Sequence, residues 1–153
     1  MTVQSVSPIM FESVSAVTAT PSVELGTERV EAGQKYVYVF NCGISTASVG
    51  VGMSRPLSAF AGIYSGSVSA ASGDQSIGFV KHADIPTLNY GWALKRGSLP
   101  FTAGANASYV IGVKALGAAG ILAATQAVGY FLVGEVLTAV ASAGTGTLYV
   151  NIP

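Results

Sequence analysis

The chain is divided into short apolar segments by closely spaced glycines, and this division constrains the fold more than any other feature of the sequence. The 153 residues include 19 glycines. The apolar segments between the turns run for about 4 to 8 residues, which is the length of a typical strand. Segments this short rarely form stable helices, because helix nucleation is costly. The sequence therefore predicts an all-β fold, a small β-barrel or sandwich of short strands with glycine-rich turns.

The clearest strand is predicted in the segment KYVYVFNC, which alternates between two apolar faces. Successive side chains of a strand point to opposite faces of the sheet. One face therefore carries the rings of Tyr36, Tyr38 and Phe40, and the other carries two valines. A strand that is apolar on both sides is either central in the sheet, or has the core on one side and an interface on the other.

Alternation and β-branched residues predict further strands along the rest of the chain. They are expected at residues 48–53, 77–80, 90–94, 109–113, 128–137 and 144–152, with loops at 81–89 and 98–106. The charged segment at 27–32 is predicted to be a solvated loop or an edge strand. A helix at 115–127 stays open as an alternative, because alanine and leucine favour helices.

Two parts of the chain are expected to be organised differently. Residues 1–26 show no helical period, and their apolar residues are regularly spaced among Ser, Thr and Pro. They predict an extended N-terminal arm that lies along the surface of its own domain or of a neighbouring subunit. Residues 27–153 are predicted to form a single β-barrel or sandwich domain.

The composition limits the kinds of partner that this protein attracts. Only 9% of its residues are charged, seven acids balance seven bases, and 50% of the residues are hydrophobic. A neutral chain has no field that draws nucleic acid or an anionic membrane from a distance. With so little charge to keep copies apart, we expect much of the surface to be buried against copies of the chain or another protein.

A membrane-spanning helix is an alternative for residues 115–134, which carry no charge and are long enough to cross a bilayer. Four glycines and the central Thr125 and Gln126 argue against it. Buried strands broken by glycine turns account for the same residues, so no membrane partner is predicted. The start of the sequence lacks the basic and apolar regions of a secretory signal, and synthesis in a cytoplasm is expected.

The segment from Ile77 to Gly97 holds the only His and the only Trp of the sequence. A reactive site would use His82 as a base with Asp84 as its orienting acid. No Gly-x-Ser-x-Gly nucleophile motif and no nucleotide-binding glycine motif accompany this pair. A single His and a single Cys also exclude the usual zinc sites. We therefore predict no enzyme activity, no catalytic residue, no cofactor and no metal.

Two binding alternatives use the same segment. Lys81, Lys95 and Arg96 beside an aromatic ring would suit a nucleic acid, but three cations in a neutral protein predict only weak, salt-sensitive binding. A sugar site lined by Trp92, Tyr90 and Asp84 stays open. The favoured interpretation is a rigid hairpin that organises the domain or a subunit contact.

Three groups of residues resemble capsid decoration (cement) proteins and related head proteins of tailed bacteriophages. They are Leu25-Gly26 with Gly33-Gln34-x-Tyr36-x-Tyr38, then Ile85-Pro86-x-x-x-Tyr90-Gly91-Trp92-x-x-x-x-Gly97, and lastly Gly134-Glu135-Val136-Leu137 with Gly144-Thr145-Gly146-Thr147-x-x-Val150. The motifs span most of residues 25–152, and none of them is catalytic.

The resemblance implies a small β-rich protein, often a homotrimer, on the outer surface of the virion. Its partners would be the major capsid protein and copies of itself, and it would reinforce contacts between capsid subunits after synthesis in the host cytoplasm. Another head, tail or fibre component is the main alternative. The residues predicted to form the framework or an interface are six aromatic residues and one proline: Phe11, Tyr36, Tyr38, Phe40, Pro86, Tyr90 and Trp92.

Overall fold

The computed structural model describes residues 12–55, 64–68, 75–102, 112–115 and 132–153, and within them it confirms the all-β prediction. These residues contain no helix. Their strands are β1 (Glu28–Glu31), β2 (Gln34–Asn41), β3 (Gly52–Arg55), β4 (Ser65–Gly66), β5 (Gln75–Val80), β6 (Tyr90–Thr102), β7 (Gly112–Ala115), β8 (Leu132–Val136) and β9 (Thr145–Asn151). Most of the segment that admitted a helix or a membrane span lies outside the described residues.

All of these strands belong to one sheet, whose main path runs β1-β2-β6-β9-β8-β7. The pairing is antiparallel except between β2 and the short strand β4. Strand β6 is the centre of the sheet, because it pairs with β2 on one edge and with β5 and then β9 on the other. Among the described strands, β1 and β7 end the path without pairing with each other. The sheet is therefore open, and the closed-barrel form of the prediction is not found.

Strands β2 and β6 are covered by apolar side chains on both faces, as the alternation of β2 predicts. One core contains Tyr36, Tyr38, Phe79, Trp92, Leu94, Leu99, Leu148 and Val150 among its buried residues. The other contains Val37, Val39, Ala47, Met53, Ile77, Val80, Ile85 and Ala93. A strand buried on both sides contributes to two cores at once, which accounts for the continuous apolar sequence of β2.

The connection between β1 and β2 is a two-residue turn made by Ala32 and Gly33. Both residues have positive φ angles, 50° and 74°. A type I′ turn requires this backbone at both of its central positions, and its twist matches that of the strands it joins. The charged segment is therefore an edge strand, β1, held against β2 by this hairpin.

The predicted loop at residues 98–106 is wrong over its first part, because β6 continues through Thr102. Residues 96–102 pair with β9, and Pro100 lies opposite Thr147. A proline has no N–H to donate, so it fits a strand only where that position faces away from a partner. The other edge of β6 has no described partner strand beyond Arg96. Pro100 therefore fits this strand, although proline is usually unfavourable in a strand.

The predicted strand at residues 48–53 is also shifted. The Val51 N–H donates to the Ser48 carbonyl at 3.1 Å, and Gly50 has a φ of 89°. These residues form a turn, and β3 begins only at Gly52. Of the strands predicted at 109–113 and 128–137, the described parts lie in β7 and β8.

Residues 12–26 of the predicted arm lie along the sheet of their own chain. Val14 is buried in the core that contains Trp92. Thr18 exchanges two backbone hydrogen bonds with Tyr90, at 3.0 and 2.8 Å. This part of the arm is therefore packed against the domain. Phe11 and the residues before it lie outside the described residues, and the predicted boundary after residue 26 stays a prediction.

Candidate functional site

Four of the aromatic residues predicted for the framework or an interface meet across β2 and β6. Tyr38 lies opposite Trp92, and Phe40 lies opposite Tyr90. The ring centroids of these two pairs are 5.1 and 4.7 Å apart, and the rings of Tyr38 and Tyr90 stack at 6.0 Å. Aromatic pairs directly opposite each other stabilise a sheet and fix its register. This cluster therefore holds the two central strands in place.

Trp92 and Tyr36 are core residues, each with only 3% of its surface exposed. The Trp92 Nε1 is buried and has no hydrogen-bond partner among the described residues. A sugar site needs the face of an aromatic ring to be open to the ligand. Since the Trp92 ring is covered, it cannot line the sugar site considered from the sequence. Tyr90 is half-buried, and Pro86 is exposed.

Tyr36, in the first half of β2, is linked to a chain of polar side chains at the sheet surface. Its hydroxyl donates to Gln34 Oε1 at 2.9 Å, and Lys81 Nζ donates to the same oxygen at 2.5 Å. His82 Nε2 lies 2.8 Å from the Tyr36 hydroxyl oxygen. A tyrosine has one hydroxyl proton, so the His82 Nε2 carries a hydrogen and donates it to Tyr36. The imidazole is thus a structural donor in this chain.

The environment of His82 disfavours its protonated form. Partial burial lowers the pKa of His82, the Lys81 cation lowers it further, and Glu31 acts in the opposite direction. Asp84 does not contact the imidazole. Its Oδ1 accepts the Val49 N–H at 2.8 Å. The two residues considered as a catalytic pair therefore have separate structural partners, and the arrangement does not provide an acid-oriented base.

The three cations considered for nucleic acid are also engaged. Lys95 Nζ lies 3.0 Å from a carboxylate oxygen of Glu28, and Lys81 Nζ donates to the Ser98 carbonyl at 2.7 Å. Arg96 Nε lies 3.4 Å from the Tyr149 hydroxyl. Trp92 is buried, so the ring considered for stacking on a base is not accessible. The geometry gives no support to a nucleic-acid site here.

Large apolar side chains are exposed on the two loops that follow β2 and precede β6. Ile44 is 100% exposed, Leu88 62% and Val49 50%. Pro86 is exposed beside Leu88. We call these four residues the apolar end. Single exposed apolar residues are ordinary, and Val30, Leu137 and Tyr149 are exposed elsewhere on the described residues. A group on adjoining loops is a candidate binding surface.

The two loops of the apolar end are joined by Asn41, the last residue of β2. Its side chain is 0% exposed. Its Nδ2 donates to the Ser45 carbonyl at 2.9 Å and to the Ile85 carbonyl at 2.8 Å, while its Oδ1 accepts the Gly43 N–H at 3.1 Å. A second link joins Ala47 and Ile85 through two backbone hydrogen bonds of 2.9 Å. The loops are therefore held in one fixed arrangement.

Of the apolar end, only Pro86 is predicted from the sequence, and Asn41 is not singled out. Asn41 ends an apolar strand, where a polar residue is expected to turn toward solvent. Ile44 and Leu88 lie far apart in the chain, and only the β2–β6 register brings their loops together. A signal was present in the lack of charge: residues 42–51 contain none, and residues 83–89 contain only Asp84.

The described residues contain no group of three or more His, Cys, Asp or Glu side chains placed to hold a metal ion. They also contain no helix that is long and apolar enough to cross a membrane. Comparisons of the chain with protein-family models, with curated proteins and with solved structures find no match.

Proposed function

We propose that this protein is a virion structural protein, a cement protein that binds the outer shell of a tailed-bacteriophage capsid. It reinforces contacts between major capsid subunits and acts as a homotrimer on the capsid outer surface. It works by binding and not by catalysis. The proposal starts from the sequence motifs that resemble decoration proteins.

The observation that carries the proposal is the exposure of large apolar side chains on a chain with very little charge. Ile44 and Leu88 are exposed to solvent, and the buried side chain of Asn41 holds their loops in place through hydrogen bonds. A rigid apolar surface loses little conformational entropy when it binds, so it is suited to a protein partner. In an assembled virion, such a surface is expected to be covered by a protein partner.

The placement of the rare residues supports a binding role. His82 and Asp84 hold Tyr36 and the Val49 backbone, and Trp92 fills the core. Sugar binding would need the Trp92 ring in the open, and it is buried. His82 and Asp84 are exposed, but each bonds to its own structural partner. The structure uses each of them to hold the fold.

A cement protein stabilises a shell by mass action. It binds the assembled shell and not the dissociated subunits, so its binding energy adds to shell stability. Many copies act together, and no single contact needs to be strong. A small apolar contact repeated at every site is sufficient for this role.

The test is sedimentation of the purified full chain with expanded, undecorated tailed-phage capsids and, separately, with isolated phage tails. We expect the chain to pellet with capsids at a fixed ratio to the major capsid protein, and to raise the temperature at which the shells break. Light scattering of the free chain measures whether it is a trimer. Pelleting with tails alone would favour the tail or fibre alternative, and pelleting with neither would overturn the proposal.

A further inference from the structure

The outer edge of strand β1 is open for pairing among the described strands, because β1 pairs only with β2. Just before β1, the Thr27 carbonyl accepts the Tyr38 N–H at 2.9 Å. In an antiparallel ladder, the backbone groups of every second residue point to the same neighbouring strand. Arg29 and Glu31 therefore bond to β2. The backbone groups of the other two residues of β1 point away from it.

These two residues with outward N–H and C=O groups are Glu28 and Val30. The Val30 side chain is 70% exposed, although valine is a residue that favours packing within sheets. Lysine, proline and bulges are common devices that block an edge strand. Strand β1 contains no lysine or proline, and its pairing with β2 has no register shift. Its outer edge is therefore a template for another strand.

The charges of β1, Glu-Arg-Val-Glu, decide which register a second copy of β1 can adopt. Two antiparallel copies related by a two-fold axis must align outward residues with outward residues, so the axis passes through one residue position. An axis at Glu28, Arg29 or Glu31 places two like charges directly opposite each other, which is destabilising. An axis at Val30 places valine against valine. In that register, Arg29 of each copy lies opposite Glu31 of the other.

The side chains of Arg29 and Glu31 are already arranged for this register. They lie on the same face of β1 and form an ion pair in which Arg29 Nη2 is 2.8 Å from Glu31 Oε2. Arg29 also donates to the Glu12 carbonyl. The two-fold axis at Val30 sets two such ion pairs side by side in opposite order. Each of the four charges then has an opposite charge beside it along its own strand and across from it.

We propose that β1 is a self-pairing strand through which two copies of this chain join their sheets. The copies lie antiparallel about a two-fold axis at Val30, where they exchange both backbone hydrogen bonds. This contact goes beyond the proposed function and does not depend on it. A two-fold contact does not replace a trimer, because it can join a subunit of one trimer to a subunit of the next.

The contact is small, since β1 has only 4 residues. An interface of this size is weak in solution and is strengthened when many copies lie side by side. We therefore expect reversible association of the free chain at high concentration, and the tests trap the pair or compare variants at equal concentration.

The first test traps the pair with a disulfide. Residues opposite each other in a hydrogen-bonded pair have Cα atoms about 5.5 Å apart, within the range of a disulfide. Val30→Cys in a Cys42→Ser background should therefore form a covalent dimer under mild oxidation. The matched control is Val49→Cys in the same background, at a position that is 50% exposed outside β1. We expect the control to crosslink about tenfold more slowly. Equal rates would overturn the inference.

The second test reverses charges to check the register. Arg29→Glu leaves only acids at positions 29 and 31, and Glu31→Arg leaves only bases. In the Val30→Cys, Cys42→Ser background, each variant alone should crosslink about tenfold less, because like charges then face each other. An equimolar mixture should crosslink again as mixed dimers, which intact mass distinguishes.

Recovery in the mixture cannot come from a change in the fold of either chain, because each chain is the same alone and mixed. A mixture that crosslinks no better than its separate components would overturn the two-fold register at Val30.

A third variant keeps the test independent of folding. Val30→Lys changes an exposed side chain and places two cations opposite each other across the proposed axis. It should keep its melting temperature and lose the self-association that the unmodified chain shows in sedimentation velocity. Val49→Lys, the matched control, should associate as the unmodified chain does. Undiminished association of Val30→Lys would contradict the proposal. Since no capsid enters these tests, their outcome is separate from that of the proposed function.

Discussion

At the residue scale, Asn41 shows how one buried amide can fix two loops. Both of its side-chain groups are used, as donors to the carbonyls of Ser45 and Ile85 and as an acceptor from the Gly43 N–H. Removing the amide takes a partner from the partly buried Ser45 carbonyl and Gly43 N–H, whereas the Ile85 carbonyl still accepts the Ala47 N–H. We expect Asn41→Ala to lower the free energy of unfolding by about 2 to 4 kcal/mol in urea denaturation.

Asn89 provides a matched control for this prediction. It is half-buried, and its Nδ2 donates only to the Thr87 carbonyl two residues away, at 2.9 Å. Asn89→Ala should cost less than about 1 kcal/mol. Equal losses for Asn41→Ala and Asn89→Ala would mean that the buried amide does not join the loops.

His82 gives the protein a pH dependence whose sign follows from its surroundings. Partial burial and Lys81 hold its folded-state pKa below the value of the unfolded chain. The unfolded state therefore binds the proton more readily. The contribution of His82 to stability is present above pH about 6.5 and falls as the pH drops from there toward the folded pKa.

The measurement is the urea midpoint between pH 8 and pH 5. We expect the midpoint to fall through this range in the unmodified chain, by a small amount because the residue is exposed on one side. His82→Gln keeps a donor near Tyr36 but cannot titrate, so its midpoint should change less. Lys35 and Lys95 lower the pKa of Glu28 from its ordinary value of 4.5, so the stabilisation by this carboxylate is lost mainly below pH 5, and it is the same in both chains. A midpoint that rises toward pH 5 in the unmodified chain would contradict the prediction.

At the scale of the elements, the alternation of apolar and polar side chains predicted the strands more reliably than residue type did. Strand β9 lies within the predicted segment 144–152, and its side chains alternate, since Leu148 and Val150 are buried while Tyr149 is 36% exposed. The continuation of β6 past Gly97 was missed because Pro100 argues for a loop. Whether proline fits a strand depends on which edge has a partner, and that is a property of the whole sheet. A local sequence pattern does not show which edge of a strand has a partner.

Gly134 shows a second element-scale constraint that the sequence does not reveal. A Cβ at this position in β8 would lie 2.1 Å from the carbonyl oxygen of Tyr149 in β9. A backbone atom of a paired strand cannot move aside without loosening the ladder. We expect Gly134→Ala to lower the free energy of unfolding by about 3 kcal/mol, as in overpacked sites.

The control for Gly134→Ala is Gly50→Ala, measured in the same urea titration. A Cβ at Gly50 meets nothing within 4 Å, and only its φ of +89° opposes the change. Gly50→Ala should cost about 1 kcal/mol. A smaller loss for Gly134→Ala than for Gly50→Ala would show that β8 and β9 are not closely paired there.

At the scale of the whole molecule, the sequence indicated the aromatic framework better than the exposed apolar surface. Tyr38, Tyr90 and Trp92 were named because rare aromatic residues at strand spacing stand out, and the register of the sheet brings their rings together. Of the apolar end only Pro86 was named, because its members lie on separate loops and no short motif encodes the left-handed backbone of Leu88, whose φ is 59°. A surface whose residues lie on separate loops can be identified only when the register of the sheet that brings the loops together is known.

The N-terminal residues provide a prediction that separates folding from attachment. Removing residues 2–11 leaves buried Val14 and the two hydrogen bonds between Thr18 and Tyr90 in place, so we expect the domain to stay folded in urea denaturation. Removing residues 2–20 also takes away buried Val14 and the two hydrogen bonds between Thr18 and Tyr90. That loss should reach about 3 kcal/mol or more in urea denaturation.

Capsid co-sedimentation of the shorter truncation then tests the predicted role of the arm. If residues 1–11 reach across a neighbouring subunit, the chain without residues 2–11 stays folded and fills fewer capsid sites at subsaturating concentration. Ile44→Ser in the full chain serves as the comparison, since it changes the exposed apolar end without shortening the arm. Additive losses in the combined variant indicate two separate contacts. Unchanged occupancy without residues 2–11 would assign all of the attachment to the folded domain, and the arm would then have no part in gripping the shell.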